Sequence, residues 1–353
     1  MKKERREEVE RVGLVAWLSA AVACVMSASH FSSAVSLSST GDRIGSSLAS
    51  RGRRTDQEEG EEANEQLAAF GRPDCTTISN NHCTTFGSLG KGPGQLNYPM
   101  GVAVDDRTGR LIVSEMYNHR MQVFDADGHH QRFIGDGQGS QDGQLENPWG
   151  LALNEQGRLF VADFNNQRVQ IFGLEDGRLK GKIKLESNPQ CVSIGANNEL
   201  FVSLSSNQIA VVSADGQLTA HFGSEGSGDG QLNSPIGLAI NSRGDLFVGD
   251  SANHRMSVFD RSFTFLTNFG QFNGGDLHVA SDQFDRIVVC DGGSNSLQLF
   301  DADFELISQF GSEGRKLGQF NGPQGVSIDQ KGTIIVCEGG NNRVQIVTRP
   351  IIQ

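Results

Sequence analysis

Short apolar runs recur along the chain between residues 84 and 347, and polar turn residues separate them. In the first copy the runs are Val102–Val104, Leu111–Val113, Met121–Phe124 and Gln131–Ile134. They are rich in β-branched and aromatic residues, whereas Gly, Asp and Asn lie between them, as is typical of strands joined by tight turns. No sustained helical period of apolar residues occurs in this region. The pattern therefore predicts four short antiparallel strands in each copy.

The four-strand unit occurs six times. The copies begin at proline or at its equivalent, and the spacing varies between 39 and 49 residues: Pro99, Pro148, Pro189, Pro235, Gly274 and Pro323. Four antiparallel strands at this period are the unit of a propeller blade. The sequence thus predicts an all-β, six-bladed β-propeller over residues 83–349.

The last copy supplies only three strands and ends at Val347. The segment Thr84–Gly87, which precedes the first copy, resembles the fourth strand of other copies, such as Ala220–Gly223. We expect this N-terminal strand to complete the last blade, because an unclosed ring would expose sheet edges that promote aggregation.

Two copies depart from the pattern. In the third, Leu204 and Ile209 replace an acid and an arginine that recur elsewhere. In the fifth, Gly274 and Asp276 stand where the other copies have Pro and Gly. Both copies are also entered by shorter connections that lack the Gly-rich Gly-x-Gly-Gln segment, so we expect different loops in blades three and five.

The recurring residues Gly-Gln-Leu/Phe, Asn, Pro-x-Gly-Val/Leu-Ala, Asp and Asn-x-Arg-x-Gln-Val-Phe resemble the NHL repeat, over about three quarters of the chain. That family forms six-bladed propellers, often at the C-terminus of tripartite-motif ubiquitin ligases. The resemblance implies the fold and, as an alternative function, substrate recognition in protein ubiquitination. A ligase would need a RING domain, but residues 1–83 hold only three Cys and two His.

Some NHL propellers bind single-stranded RNA, which is the second alternative. Such binding needs a basic face with aromatic platforms. Residues 84–349 contain 20 Lys and Arg against 30 Asp and Glu, a net charge of −10, and the one basic run is Arg178–Lys184. The balance disfavours RNA as the main partner.

The flanking regions have other compositions. Residues 1–29 form a charged leader with an uncharged run at 12–28, which predicts a signal peptide or a signal anchor and is the one candidate membrane contact. Residues 30–82 read as a disordered, acidic and Ser-rich linker, and residues 350–353 as a tail.

The compartment stays open between a secreted or membrane-anchored protein and a cytoplasmic one. Cys75 and Cys83 could form a disulfide in an oxidising compartment. Cys191, Cys290 and Cys337 lie on predicted strands and read as buried free thiols, and no Asn is followed by x-Ser or x-Thr, which favours an intracellular protein.

An acid ends the second strand in five copies, including Asp291 in the fifth, and in the other four an arginine follows five residues later. The pairs are Glu115 and Arg120, Asp163 and Arg168, Asp250 and Arg255, and Glu338 and Arg343. Repetition in most blades is what a structural turn requires, so we interpret the pairs as turn ion pairs rather than as a catalytic or metal site. The scattered His residues predict no metal site, and no motif predicts a cofactor or a catalytic nucleophile.

Blades one and two differ from the rest on one face, where large apolar residues occupy turns that carry Ser, Gly and Gln in blades three to six. They are Tyr98, Met100, Met116, Tyr117, Trp149 and Phe164. Large apolar side chains on exposed turns suggest a contact patch. The alternative is that Tyr98 and Trp149 pack between blades. The sequence therefore predicts a monomeric, non-catalytic propeller that binds a protein or peptide ligand through this patch.

Overall fold

The computed structural model describes residues 83–348, and these residues form six four-stranded antiparallel sheets. The first strand is β1 (Cys83–Phe86). Blade one contains β2 (Pro99–Asp105), β3 (Arg110–Glu115), β4 (Arg120–Phe124) and β5 (His130–Ile134); blade two contains β6 (Pro148–Leu153), β7 (Arg158–Asp163), β8 (Arg168–Gly173) and β9 (Leu179–Lys184).

The remaining blades follow in order along the chain. Blade three contains β10 (Pro189–Ile194), β11 (Leu200–Leu204), β12 (Gln208–Val212) and β13 (Leu218–Phe222); blade four contains β14 (Pro235–Ile240), β15 (Leu246–Asp250), β16 (Arg255–Phe259) and β17 (Phe265–Phe269). Blade five contains β18 (Leu277–Ser281), β19 (Ile287–Asp291), β20 (Ser296–Phe300) and β21 (Leu306–Phe310); blade six contains β22 (Pro323–Ile328), β23 (Ile334–Glu338) and β24 (Arg343–Val347). Single 3₁₀ turns occur at Phe164–Asn166 and Ser251–Asn253.

The N-terminal strand closes the ring, as the sequence predicted. Strand β1 is the fourth strand of blade six and pairs with β24 in antiparallel register, from Cys83 opposite Val347 to Phe86 opposite Val344. The Phe86 ring lies 4.6 Å from that of Phe124 in blade one. The first strand of the domain therefore joins the last blade to the first.

In the described part of the chain the core consists of six apolar clusters, and each lies between two neighbouring blades. Between blades one and two, for example, Ile112 and Met121 pack against Leu159 and Phe172, all nearly inaccessible to water. The equivalent cluster between blades six and one contains Val113, Val344 and their neighbours. Alternating strand residues face the two adjacent blades, so burial of both sheet faces explains the nearly continuous apolar runs.

The Pro-x-Gly motif lets the innermost strands approach closely. A Cβ on Gly101 would lie 2.8 Å from the Trp149 carbonyl oxygen, and one on Gly150 would lie 2.7 Å from the Cys191 Cα. Real Cβ atoms do not make such contacts, so glycine is needed where one first strand passes over the next. In the bulge at this motif two residues oppose one on the second strand.

Blade five has a different register from the one the sequence suggested. Leu277, not Gly274, pairs with Asp291 in the way that Pro99 pairs with Glu115. The ladder then continues without the bulge. In the sequence, Gly274 and Asp276 align with the Pro and the Gly of the motif. In the structure the first strand begins after them, at Leu277, because this strand lacks the extra residue that forms the bulge in blade one.

The predicted leader, linker and tail lie outside the described residues. Within residues 83–348, no helix is long and apolar enough to cross a membrane. Cys83 is 3% exposed in the core of blades five and six, where burial raises the pKa of its thiol. Because Cys75 is outside the described range, its pairing with Cys83 stays a prediction. Cys290 and Cys337 are buried free thiols, and Cys191 is a partly buried one.

Candidate functional site

One face of the ring carries the turns between the second and third strands together with the connections that enter the first strands. We call it the upper face and the opposite one the lower face. In blade two the upper face is organised by Asp163, which is fully buried. Its carboxylate accepts hydrogen bonds from Arg168 Nε at 2.7 Å, Gln170 Nε2 at 3.0 Å, the Glu146 backbone N–H at 2.7 Å and the Asn166 amide.

The arginine extends this network to the Gly-rich segment that enters the blade. Arg168 donates to the backbone carbonyls of Ser140, Gln141 and Gln144 at 2.8–3.0 Å. Arg255 and Arg343 make the same three bonds in blades four and six. The buried acid and its arginine thus fasten a loop of glycines to the sheet, which is a structural use of the ion pair.

Blade one varies this arrangement. Arg120 Nε lies 2.7 Å from Glu115 Oε1, but the guanidinium sits 4.0 Å from the centre of the Phe133 ring. Its Nη2 atom is buried without a hydrogen-bond partner. In blade three the positions of the acid and the arginine are taken by Leu204 and Ile209, which are buried in the core.

Neighbouring blades are also joined by a recurrent hydrogen bond across the upper face. The residue before the third strand adopts a left-handed conformation and accepts a bond from the backbone N–H that precedes the next blade. In three places the acceptor is an Asn Oδ1 at 2.8 Å: Asn342 accepts from the Tyr98 N–H, Asn207 from the Ser234 N–H, and Asn295 from the Gly322 N–H. In blade one it is His119 Nδ1, 3.1 Å from the Asn147 nitrogen.

The six predicted contact residues separate into two groups. Met100 and Met116 are 2% and 7% exposed, so they are not surface residues as expected: the first lies in the strand bulge and the second beneath the turn. The other four form two aromatic pairs with accessible surface. The Tyr98 and Tyr117 rings are 5.3 Å apart, and the Trp149 and Phe164 rings stack at 4.4 Å with an interplanar angle of 8°.

Tyr117 is the most exposed member of the four, at 47%. Trp149 also packs against the core cluster of blades two and three, and its indole nitrogen is buried without a partner. The alternative that Trp149 packs between blades therefore holds for part of its side chain. The upper face of blades one and two still presents four aromatic rings.

Polar residues that the sequence did not single out lie near the axis on the same face. His278 Nε2 is 3.1 Å from Gln324 Oε1, and the Gln324 side chain also lies beside the Tyr98 hydroxyl. Burial lowers the pKa of His278 and raises that of Tyr98. The available signal was position: His278 is the one histidine that the repeat places on a first strand.

The axis contains a cavity of about 300 Å³ towards the lower face. The first strands line it with Val, Ala, Leu and Ile side chains and with Ser193, Ser281 and Ser327. None of its lining residues is titratable, so within the described part of the chain the cavity wall offers no general acid or base.

Two further surface features carry groups of charged side chains. Asp125, Asp127 and His129 have ligand atoms within 4.8 Å of one another, but Asp125 Oδ1 already accepts the turn's own amides and the group is exposed. In the basic run on β9, Lys182 lies 2.5 Å from Asp142 and Lys180 lies 2.6 Å from Asp176. Those pairs reduce the free positive charge on the outer edge of blade two.

Four segments of the chain match the sequence model of the family described as the NHL repeat: residues 96–124, 145–172, 232–259 and 320–347. This chain is an NHL-repeat β-propeller. The matched segments lie in blades one, two, four and six, which are the blades that contain the acid–arginine pair. The family model therefore matches the blades in which this ion pair is present.

Similar proteins share parts of this NHL region. Protein brain tumor of Drosophila melanogaster is 32% identical over 142 residues, which cover 37% of this chain and 13% of that protein. RING finger protein nhl-1 of Caenorhabditis elegans is 42% identical over 62 residues, 18% of this chain and 6% of that protein. The alignments thus span only a small fraction of these relatives. Virginiamycin B lyase from Staphylococcus aureus has a TM-score of 0.55 at 14% identity, over 76% of this chain and 99% of its own, a likeness in fold alone.

Proposed function

We propose that this NHL propeller is a non-catalytic interaction module that binds a peptide or protein segment on the upper face of blades one and two. The observation that carries the proposal is the pair of aromatic contacts, Tyr98 with Tyr117 and Trp149 with Phe164, on partly exposed turns. Aromatic side chains contribute large contact area at low entropic cost and are enriched at binding hot spots.

The backbone at Tyr98 supports this assignment. Tyr98 has a φ of 52°, whereas Asn147, Ser234 and Gly322 occupy the equivalent left-handed positions in other blades. A bulky residue in this region is unusual and costs about 1–2 kcal/mol, and such strain is often found at functional sites. A tyrosine here places an aromatic ring on the surface where the scaffold itself needs only a small residue.

Peptides selected from a random library on the full-length protein provide the test. Tyr117→Ala combined with Phe164→Ala removes one ring from each pair and leaves Trp149, whose truncation would also disturb the core. Because an aromatic hot spot contributes about 2 kcal/mol, the double variant should weaken binding at least about thirtyfold.

The matched control is Phe284→Ala, which removes an aromatic ring that is 65% exposed on the lower face. This variant should bind the selected peptides as the wild type does. Equal affinities for the double variant and the wild type, measured by isothermal titration calorimetry, would remove blades one and two as the binding site.

A role as substrate receptor in protein ubiquitination is the second candidate, and the similarity to a protein whose name includes a RING finger favours it. In that role the propeller would act with a ligase supplied by another chain. Ubiquitin transfer to a bound protein should require that added ligase, and transfer by the isolated chain would contradict this version. Selective binding of short single-stranded RNA with steep salt dependence would instead favour the RNA alternative.

A further inference from the structure

Four polar side chains from three blades come together where the axis opens on the upper face. They are Tyr98 of blade one, Asp276 and His278 of blade five, and Gln324 of blade six, and we call them the axial cluster. His278 Nε2 and Gln324 Oε1 are 3.1 Å apart, and the Gln324 side chain lies beside the Tyr98 hydroxyl. The charge of Asp276 acts on both Tyr98 and His278. The cluster belongs to neither the acid–arginine network nor the Trp149 stack.

Paired glycines in blades five and six bring these residues together. The turn of blade five is Gly292-Gly293, and a Cβ on Gly275, just before Asp276, would lie 2.7 Å from the Gly293 nitrogen. In blade six a Cβ on Gly339 would lie 3.0 Å from the Tyr98 ring. In blade one the equivalent turn carries the side chains of Met116 and Tyr117. Side chains of that kind in place of the glycines of blades five and six would collide with the segments that carry Asp276 and Tyr98.

The cluster has more hydrogen-bond acceptors than donors. Among residues 83–348 the Asp276 carboxylate has no hydrogen-bond or ion-pair partner in the structure. The amide oxygen of Gln324 can only accept a hydrogen bond, so His278 Nε2 is the donor at 3.1 Å and that oxygen is already used within the cluster. The Asp276 carboxylate is therefore the acceptor that the described residues leave free for a ligand.

A second observation on the opposite side of the axis agrees. Gln190 follows Pro189 on the first strand of blade three, at the position that Gln324 occupies in blade six. It is 6% exposed, and its buried Oε1 has no hydrogen-bond partner among the residues that the structure describes. Buried acceptors are nearly always satisfied, so an unpaired one at the position of Gln324 favours a ligand that brings donors.

We propose that the axial cluster binds a cationic nitrogen of a peptide ligand, with Asp276 as the counter-charge and the rings of Tyr98 and Tyr117 beside it. Carboxylates bind ammonium and guanidinium groups through charge-assisted hydrogen bonds, and tyrosine faces attract cations. The proposal rests on the proposed function, because it names the ligand class for the same face. The nitrogen could come from a lysine, an arginine or a free peptide N-terminus.

The test uses the full-length protein labelled with ¹⁵N-glycine, so that the amides of Gly292 and Gly339 report on the cluster. The cationic probes are N-acetyl-lysine methylamide, N-acetyl-arginine methylamide and glycine methylamide, and the neutral control is N-acetyl-norleucine methylamide. We expect saturable shifts of these amides with at least one cationic probe in the millimolar range, and none with norleucine.

Asp276→Asn should weaken that binding about tenfold, the loss of one charge-assisted bond. Because the Asp276 side chain makes no bond in the fold, the melting temperature should not change. Asp303→Asn removes the same charge from the exposed lower face and should bind as the wild type. No saturable shift with any cation, equal shifts with norleucine, or equal affinity for wild type and Asp276→Asn would overturn the proposal. Loss of selected peptides from the Tyr117 and Phe164 variant would still support peptide binding, so the two failures are distinguishable.

Discussion

Replacing Arg168 with methionine tests how the buried acid–arginine pair fastens the upper face. The arginine pairs with Asp163 at 2.7 Å and with Asp142 at 3.6 Å, and it donates three hydrogen bonds to backbone carbonyls of the Gly-rich segment. Methionine keeps most of the apolar stem but removes all of these donors. Asp163 would then remain fully buried, with its charge opposed only by the neutral donors of Asn166, Gln170 and the Glu146 amide.

Removing one partner of a buried ion pair costs about 3–5 kcal/mol. For a domain of this size each kcal/mol shifts the midpoint of thermal unfolding by about 2–4 °C, so a decrease on the order of 10 °C is expected. Arg120→Met is the matched control, because Arg120 pairs with a buried acid but bonds no carbonyl of the equivalent segment. We expect it to be less destabilising than Arg168→Met by about 2 kcal/mol or more.

The assay is equilibrium unfolding in urea, followed by tryptophan fluorescence, together with a thermal melt. The variant Asp163→Asn combined with Arg168→Met should recover part of the stability, because it removes the buried charge that the single variant leaves behind. Equal losses for the Arg168 and Arg120 variants would refute the idea that the carbonyl bonds fasten the loop. A loss below about 1 kcal/mol for Arg168→Met would show that water replaces the guanidinium without cost.

Two further predictions concern the ring as a whole. Deleting residues 83–88 removes β1 and the packing of Phe86, so stability should fall by about 3 kcal/mol or more, and an unchanged thermal melt would contradict closure by this strand. Burial lowers the pKa of His119 from its usual 6.5, so the unfolded chain binds the proton more readily. Stability should therefore be complete above pH 6.5 and fall as the pH decreases below it. His119→Asn keeps an acceptor for the Asn147 amide and should flatten the pH dependence of urea unfolding; no flattening, or the same flattening with the exposed His221→Asn, would contradict the assignment.

The fold could be predicted because its determinants are local and repeated. Each blade needs the same turns and the same apolar runs, so the copies reinforce one another and the absent fourth strand of the last copy is conspicuous. The register of blade five could not be predicted in the same way. Gly274 and Asp276 resemble the motif in letters, but the strand bulge that the motif encodes is absent, and only strand pairing reveals that Leu277 is the equivalent residue.

The candidate site was predicted less well for two physical reasons. Met100 and Met116 are buried, because a residue of a first strand or of a turn can point towards the neighbouring blade as readily as towards solvent. The alternation of apolar and polar residues does not distinguish these directions when both faces of a sheet are covered. The axial cluster combines Tyr98 with Asp276 and Gln324, which are far apart in the sequence. Closure of the ring could be predicted, but which side chains of blades one, five and six meet at the axis depends on the register of each first strand, and the pattern misplaced that register in blade five.

The structure links the two proposed halves of the upper face through a single residue. The Tyr98 ring contacts the exposed ring of Tyr117, and its hydroxyl lies beside Gln324 of the axial cluster. Its backbone N–H donates a hydrogen bond to Asn342 Oδ1 of blade six. A ligand that places a cationic group beside Asp276 and an apolar side chain on the aromatic rings would therefore contact Tyr98 with both. Residues that recur in the blades maintain the scaffold, whereas Tyr98 and Asp276 depart from the repeat. Both lie just before a first strand, where other blades have the small residues Asn147, Ser234 and Gly322. The departures from the repeat, rather than the repeat itself, are thus where selectivity for a ligand should be sought.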